Sequence, residues 1–319
     1  MGDIVAGDQV FDETGNPCNV VAVSETNYVP DCYRIVLSDG SELVADGDHR
    51  WVVDDLRAGE SRTLETREMV GLENQGSRGK HEGRFRLPRV GPLVTDEIEL
   101  EVSPYVLGYW LGDGSSHDAA IACGMQDHDD AVMHIEAEGL LTKSVPRADG
   151  RNWTIRLYTH ACEYGKTNYV RRCFRNDLDV LGNKHIPVKY LRASFNQRLS
   201  LMQGLMDSDG TVTVAGTNRR SRRCEFSVVD ERLASDFLEL ARSLGIRATF
   251  KSGDAKLNGR VVGTRYRIGF VTELPVFRLS RKAERHAEQE LPLRRRSRTI
   301  RSIERIPTVP TRCIQVDSP

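Results

Sequence analysis

Long apolar runs are missing from this sequence. No stretch approaches the roughly 20 apolar residues that a membrane-spanning helix needs, and the start, Met1 to Val5, has neither the basic nor the apolar segment of a secretory signal. A Cys-x-x-Cys pair is also missing, and the seven cysteines are an odd number, which argues against a disulfide framework or a zinc ribbon. We therefore expect a cytoplasmic protein with no membrane partner and mostly reduced, buried cysteines.

The chain also has almost no net charge, because 45 basic side chains nearly balance 46 acidic ones. Near-neutrality argues against a nucleic-acid partner, since phosphate binding normally leaves a basic imprint. The charges are unevenly distributed, however: residues 1–100 have 10 basic and 20 acidic side chains, and residues 101–319 have 35 and 26. Two arginine clusters, at 219–223 and 294–301, favour a phosphate-facing surface over a solvated loop, which either cluster alone would also fit.

The first fifty residues predict short strands divided by turns. An Asp39-Gly40 turn between two apolar runs is a strong hairpin signal. The predicted strands are Asn19–Val23, Cys32–Leu37, Glu42–Ala45 and Trp51–Val53. Residues 54–95 are polar and are predicted to connect domains, with one short helix at Thr63–Val70. The strand-like segment Cys313–Val316 needs a partner sheet, which we expect in the first fifty residues.

Two later segments share one design. Ser103 and Pro104 favour a helix start before the apolar run Tyr105–Leu111, which stops at a Gly-Asp-Gly sequence. The run Asn196–Met206 stops at a similar sequence, and an offset of 96 residues superposes Asp113 on Asp209 and Gly108 on Gly204. Helix-like and strand-like segments follow both copies. This period is far too long for a solenoid unit, so we predict a duplicated α+β domain.

The paired segments also predict a chemistry. A glycine inside a helix costs about 0.5 to 1 kcal/mol relative to alanine, and close packing of the two helices through Gly108 and Gly204 would explain both glycines. Such packing brings Asp113 and Asp209 together at two negative helix ends, where they repel each other unless a cation joins them. Mg²⁺ fits such a pair and can activate water for attack on a phosphodiester. For one helix alone, a simple C-terminal turn is the better explanation.

The segments Val106–Gly114 and Met202–Gly210 resemble the two LAGLIDADG motifs of single-chain homing endonucleases. The resemblance covers residues 97–280 and implies two pseudo-twofold halves of ααββ type, which lay a saddle of strands on double-stranded DNA. It further implies a monomer in which Asp113 and Asp209, with Gly112 and Ser208, hold Mg²⁺ or Mn²⁺. The first copy has Leu111 where the second has Asp207, so only the last acid of each motif is carried over.

Members of this family often place a basic residue near each carboxylate. Lys143 and Lys251, in the strand regions after the two helices, are our candidates, although an exposed strand lysine fits them equally well. Sequence cannot separate base readers from phosphate contacts among the arginines. The candidates for DNA contact are Arg147, Arg151, Arg156, Arg219, Arg220, Arg222, Arg223, Arg247, Arg260, Arg265 and Arg267.

The flanks resemble a second family. Segments at 2–10, 38–40 and 45–51 look like the amino-terminal half of an intein splicing domain, the all-β Hint fold, and residues 312–319 look like the start of its carboxy-terminal half. The resemblance gives His49 the role of a general acid–base histidine. Trp51 and Cys313 resemble class 3 inteins, in which an internal cysteine is the nucleophile and replicative helicases and phage terminases are typical hosts.

We therefore predict an endonuclease domain (97–280) inserted in an all-β Hint domain (1–96 and 306–319), with a basic linker at 281–305. The basic stretch Arg278–Arg312 is a candidate clamp on the duplex beside the saddle. The chain has no amino-terminal splice residue and no terminal His-Asn, so we expect no splicing. Two alternatives stay open: a splicing element with a silent endonuclease, and a LAGLIDADG protein that binds DNA without cutting it.

Overall fold

A computed structural model of the protein describes residues 2–75, 83–88, 90–159, 168–215, 221–257, 260–286 and 297–318. The chain divides into two compact units, Met1–Val94 with Pro292–Pro319, and Thr95–Leu291. The helices and strands follow one another as β1 (Gln9–Phe11), β2 (Pro17–Val23), β3 (Cys32–Leu37), β4 (Glu42–Asp46), β5 (Arg50–Asp55), β6 (Glu60–Glu65), α1 (Thr66–Met69), β7 (Phe85–Leu87), α2 (Pro104–Asp113), β8 (Ala120–Gly124), α3 (His128–Ala137), β9 (Leu141–Pro146), β10 (Asn152–Tyr158), α4 (Tyr169–Arg172), α5 (Val188–Leu191), α6 (Phe195–Asp209), β11 (Gly210–Ala215), β12 (Ser221–Val228), α7 (Glu231–Ser243), β13 (Ala248–Leu257), β14 (Arg260–Phe270), α8 (Ser280–His286), β15 (Arg298–Ile306) and β16 (Ile314–Val316).

The first unit is built mainly from strands. Its two antiparallel sheets have the orders β4-β3-β15-β7-β5-β6 and β1-β2-β16. The core of the larger sheet gathers residues from distant parts of the chain, including Ile35, Val53, Phe85 and Ile300, which are all fully buried. Strand β16 pairs with β2, so the expected pairing of the last strand with the first fifty residues is confirmed.

Several elements differ from the sequence prediction. Strands β6 and β7 lie within residues 54–95, the predicted connecting region, and only Thr66–Met69 of the predicted helix Thr63–Val70 is helical. The predicted linker 281–305 contains most of α8 and of β15, and β15 pairs with β3 and β7 in the larger sheet. Among the described helices, none combines the length and apolar character that a membrane crossing requires.

The second unit combines helices with two antiparallel sheets. Its first half, residues 95–191, contains α2, α3 and the sheet β8-β10-β9, and its second half, residues 192–276, contains α6, α7 and the sheet β11-β12-β14-β13. Helices α2 and α6 pack against each other, and one hydrophobic core runs through both halves. The halves share a helix followed by an antiparallel sheet but differ in strand number and strand length.

Both paired helices run two or three residues further than the sequence predicts. Helix α2 ends at Asp113 because the N–H of Gly114 still donates to the carbonyl of Trp110 at 2.7 Å, and the N–H of Gly210 donates to Met206 in the same way. The start of α6 is fixed by a reciprocal capping box between Ser194 and Gln197. Each aspartate is therefore the last residue of its helix.

Candidate active site

Two glycines allow helices α2 and α6 to touch through their backbones. A Cβ atom on Gly108 would lie 2.2 Å from the carbonyl oxygen of Leu201, and one on Gly204 would lie 2.1 Å from the carbonyl oxygen of Tyr105. Real Cβ atoms essentially never approach other heavy atoms closer than 3.0 Å. Any side chain at either position would therefore push the helices apart.

This packing places the ends of the two helices side by side. A Cβ atom on Gly112 would lie 2.0 Å from Ser208 Oγ and 3.3 Å from a carboxylate oxygen of Asp209. Burial, and then the charge of Asp209, raises the pKa of Asp113 to about 6. Burial also raises the pKa of Asp209. The two carboxylates thus share a half-buried site at two negative helix ends, where a second negative charge is unfavourable.

Two lysines that the sequence does not single out border this site. Lys184 Nζ donates to the carbonyl oxygen of Gly112 at 2.9 Å. Lys282 Nζ lies within hydrogen-bond distance of four carbonyl oxygens at the end of α6, those of Met206, Asp207, Ser208 and Gly210. Burial lowers the pKa of both ammonium groups. Each helix that ends in an aspartate therefore has a lysine on its last carbonyl groups, where a cation is favourable.

The lysines that the sequence favours lie elsewhere. Lys143 pairs with Arg156 across β9 and β10, and Lys251 pairs with Arg267 across β13 and β14. Both lysine side chains are exposed. The cations that lower the pKa of Asp113 are instead Lys282, Lys184 and Arg147, in decreasing order.

The arginines predicted to contact DNA fall on different surfaces. Because side chains alternate along a strand, Arg223, Arg265 and Arg267 share the face of the second sheet that turns away from buried Cys224 and Phe226, and Lys251 lies there too. Arg147, Arg151, Arg156 and Arg260 are exposed on or beside strands. Arg222 alternates to the opposite face and Arg247 is half-buried. Arg219 and Arg220 lie outside the described residues.

Asp207, the acid that the second motif has in addition, is buried and hydrogen-bonded. Asp207 is only 2% exposed and accepts hydrogen bonds from Tyr105 Oη and from the backbone N–H groups of Arg278 and Leu279, at 3.0 to 3.2 Å. Burial raises its pKa to about 6. Its hydrogen bonds hold it among Tyr105, Arg278 and Leu279, whereas the first motif has the buried apolar Leu111 at this position.

The donor set around the pair fits a hard divalent cation. The described residues contain no group of three or more His, Cys, Asp or Glu side chains that could enclose a metal by themselves. Mg²⁺ needs only one or two carboxylates, because water and phosphate oxygens complete its shell. The carbonyl oxygens of Gly112 and Ser208, the further ligands that the sequence predicts, each accept a hydrogen bond from a lysine and keep one lone pair.

The residues predicted to serve splicing lie in the first unit. The rings of His49 and Trp51 meet edge to face with centroids 4.7 Å apart, and Trp51 Nε1 donates to Thr66 Oγ1 at 3.0 Å. Cys313 is exposed, and its N–H donates to Ser24 Oγ at 2.9 Å. The cysteines described in the structure are free thiols, and all of them except Cys313 are buried.

The chain is similar to several known proteins. A family model for homing endonucleases matches residues 185–273, within the second unit. Along 99% of its length the chain is similar to a replicative DNA helicase DnaB of Mycobacterium intracellulare, with 31% identity over 336 residues that cover 52% of that protein. The chain thus spans about half the length of this relative. A homothallic switching endonuclease of Saccharomyces cerevisiae is 28% identical over 192 residues, which cover 53% of this chain and 32% of the yeast protein.

One solved structure is also similar to part of the chain. The crystal structure of the Msm DnaB1 intein splicing domain bound with zinc is 31% identical over 22% of this chain and 50% of that chain, with a TM-score of 0.19. The family match supports a homing endonuclease domain in the second unit, and the yeast relative also supports an endonuclease.

Proposed function

We propose that this chain contains a LAGLIDADG-type homing endonuclease, carried by an intein-like β domain, that cuts both strands of duplex DNA. The observation that supports the proposal most strongly is the backbone contact at Gly108 and Gly204, which brings Asp113 and Asp209 to adjacent helix ends. Among the described residues, Lys184 and Lys282 act on the two carboxylates only through their charge, and no hydrogen bond or ion pair engages either carboxylate. The placement of two carboxylates at adjacent helix ends does not stabilise the fold, and a role in catalysis explains it better.

Asp113 and Asp209 would hold Mg²⁺ or Mn²⁺, with the carbonyl groups of Gly112 and Ser208 as further ligands. Bound there, the metal supplies an activated water and neutralises charge on the phosphodiester. The two aspartates fit this role because burial raises the pKa of both carboxyl groups, and the charge of Asp209 raises that of Asp113 further. A bound cation offsets both effects by favouring the ionised carboxylates. Lys184 and Lys282 hold positive charge at the same helix ends, so the site stays favourable for a phosphate anion after the carboxylates ionise.

DNA would lie on the outer sheet faces of the second unit. The second sheet presents Arg223, Arg265 and Arg267 on one face, and the first presents Arg156 beside Lys143. Guanidinium groups on a sheet suit both phosphate contacts and paired hydrogen bonds to guanine. Since one chain supplies both aspartates, the enzyme would act as a monomer with internal pseudo-symmetry.

A plasmid assay tests the proposal. The substrate is a supercoiled plasmid with the Mycobacterium intracellulare helicase gene from which the segment similar to this chain has been removed. We expect linear product with Mg²⁺ and none with EDTA. The variant Asp113→Asn Asp209→Asn should give no product, whereas Asp96→Asn Glu97→Gln, which neutralises two carboxylates outside the site, should cut like the parent.

Two results would contradict the assignment. Equal linearisation by the parent and by the Asp113→Asn Asp209→Asn variant would exclude the aspartates from catalysis. Tight binding without any cutting by the parent would indicate a DNA-binding protein on the same scaffold.

A second candidate function, protein splicing, is favoured by the first unit. His49 and Trp51 are in contact on either side of the start of β5, and exposed Cys313 is anchored to Ser24. A general acid–base histidine and an accessible thiol are the groups that an acyl shift requires. In the precursor translated from the complete gene, Cys313→Ala should block splicing, and Cys32→Ala, which removes a buried thiol, should not. Normal splicing of the Cys313 variant would exclude that cysteine as nucleophile.

A further inference from the structure

Residues 277–286, which we call the strap, follow the second half of the second unit and contact both halves. On the second half, the N–H groups of Arg278 and Leu279 donate to buried Asp207. On the first half, Arg278 Nη1 donates to Glu138 at 2.5 Å, and the N–H of Ser280 donates to Asp130 at 2.6 Å. The strap lies outside the segment that matches the homing endonuclease family.

The same strap is held by further strong contacts. Arg281 makes a two-bond ion pair with Asp127, at 2.9 and 2.7 Å. The guanidinium of Arg278 also lies over the ring of Tyr105, with its carbon 4.2 Å from the ring centroid. Charge-assisted and two-bond contacts are the strongest hydrogen bonds in proteins. Helix α8, which forms the second part of the strap, is therefore held in a fixed position.

Helix α8 borders a cleft beside Asp209. The other wall is β11, the edge strand of the second sheet, which begins directly after α6. The cleft contains three cationic side chains and one carboxylate. The carboxylate is that of Asp209, and the cations are Arg281, Lys282 and Arg285.

Two of the three cations already have partners. Arg281 is neutralised by Asp127, and Lys282 Nζ is surrounded by four carbonyl oxygens. Arg285 is exposed, and within the described parts of the chain no hydrogen bond or ion pair engages it. Arg285 is thus the cation of this cleft that is left for a ligand.

We propose that Arg285 binds a phosphate of the DNA backbone next to the phosphate that is cut. This assignment rests on the proposed function, because only DNA at the Asp113–Asp209 pair brings a row of phosphates to the cleft. The excess of positive charge selects an anion, and an exposed guanidinium on a fixed helix gives a phosphate two parallel donors. The strap would then orient the strand without contacting the reacting atoms.

The salt dependence of binding tests the proposal. Each phosphate contact contributes about 0.9 to the slope of log K against log salt. We expect Arg285→Gln to lower the slope by about 0.9, which corresponds to about eightfold weaker binding at 0.1 M salt. Arg285→Lys should retain the parent slope, because it keeps the charge. The matched control is Arg242→Gln. It removes an exposed arginine on a different helix, α7, and should leave the slope unchanged.

The probes are a 40-bp duplex of unrelated sequence and one that spans the mapped cut, both titrated in EDTA to prevent cleavage. An unchanged slope for Arg285→Gln on both duplexes would overturn the assignment of Arg285. If instead the slope falls but the parent never linearises the plasmid, the phosphate site stands and the endonuclease assignment fails. Thermal melts of the three variants verify that they are folded.

Discussion

The substitution Gly108→Ala has two opposing effects on the free energy of unfolding. Alanine favours the helix itself, and its side chain disfavours the packing of α2 against α6. Alanine in a helix interior is more favourable than glycine by about 1 kcal/mol, so without close packing the variant would be more stable. In the structure the new Cβ lies 2.2 Å from the carbonyl oxygen of Leu201, and ordinary contact begins at 3.4 Å. The helices must therefore separate by about 1 Å. Overpacking of this kind costs about 1 to 3 kcal/mol, so after the gain of about 1 kcal/mol we expect a net loss of up to about 2 kcal/mol.

The same separation of the helices should have a larger effect on the cleavage rate than on the free energy of unfolding. A displacement of about 1 Å in a catalytic group can reduce the rate about 100-fold, and Gly108 lies little more than one helical turn from Asp113. Urea unfolding of the second unit can be followed by the fluorescence of Trp110 and Trp153 in a Trp51→Phe background. Gly124→Ala is the control, because no atom lies within 4 Å of its Cβ position. A Gly108→Ala variant that is more stable than its parent and cuts normally would refute the packing argument.

Three further predictions concern charged groups. Since the pKa of Asp113 is raised from 3.8 to about 6, its ionised form opposes folding above pH 6, and this penalty disappears as the pH falls below about 4. In EDTA at pH 8, Asp113→Asn should therefore unfold at higher urea concentration, with a gain of at most about 3 kcal/mol, and the gain should vanish at pH 4. Arg198 is fully buried and donates to the carbonyl groups of Ala193 and Ser243, so Arg198→Met should lose about 2 to 3 kcal/mol of unfolding free energy. Hydrogen bonds from Arg84 hold the pKa of Asp55 well below its usual range, so the stability that this pair contributes is complete above pH 4 and is lost at lower pH. Asp55→Asn should therefore be less stable than the parent at pH 7 and should show a smaller loss between pH 5 and pH 3, as measured by denaturation of the first unit.

The fold can be predicted from the sequence where a local pattern, such as strand alternation or an Asp-Gly turn, determines the element. Strand β3 has the predicted bounds, Cys32–Leu37, and the turn at Gly40 has the positive φ of 85° that an Asp-Gly hairpin requires. Strand β15 escapes prediction because a register shift between Ile300 and Ser302 breaks its alternation. Strand β7 has only three residues, too few for a periodic signal.

The candidate site is predictable to a similar extent. The repeated motif with its interior glycines is enough to predict that the ends of the two helices, and with them Asp113 and Asp209, lie close together. Lys184 and Lys282 escape prediction because their partners are backbone carbonyl groups, which leave no trace in the sequence. For the same reason nothing in the sequence indicates that backbone N–H groups of residues 278 and 279 enclose Asp207.

The most direct test of the account is a count of Mn²⁺ ions bound by the protein on duplex DNA, measured by electron paramagnetic resonance with the binding of the duplex alone subtracted. If Asp113 and Asp209 hold the metal jointly, the parent binds Mn²⁺, and Asp113→Asn and Asp209→Asn each lose most of that binding. Unchanged Mn²⁺ binding in both variants would contradict the shared metal site.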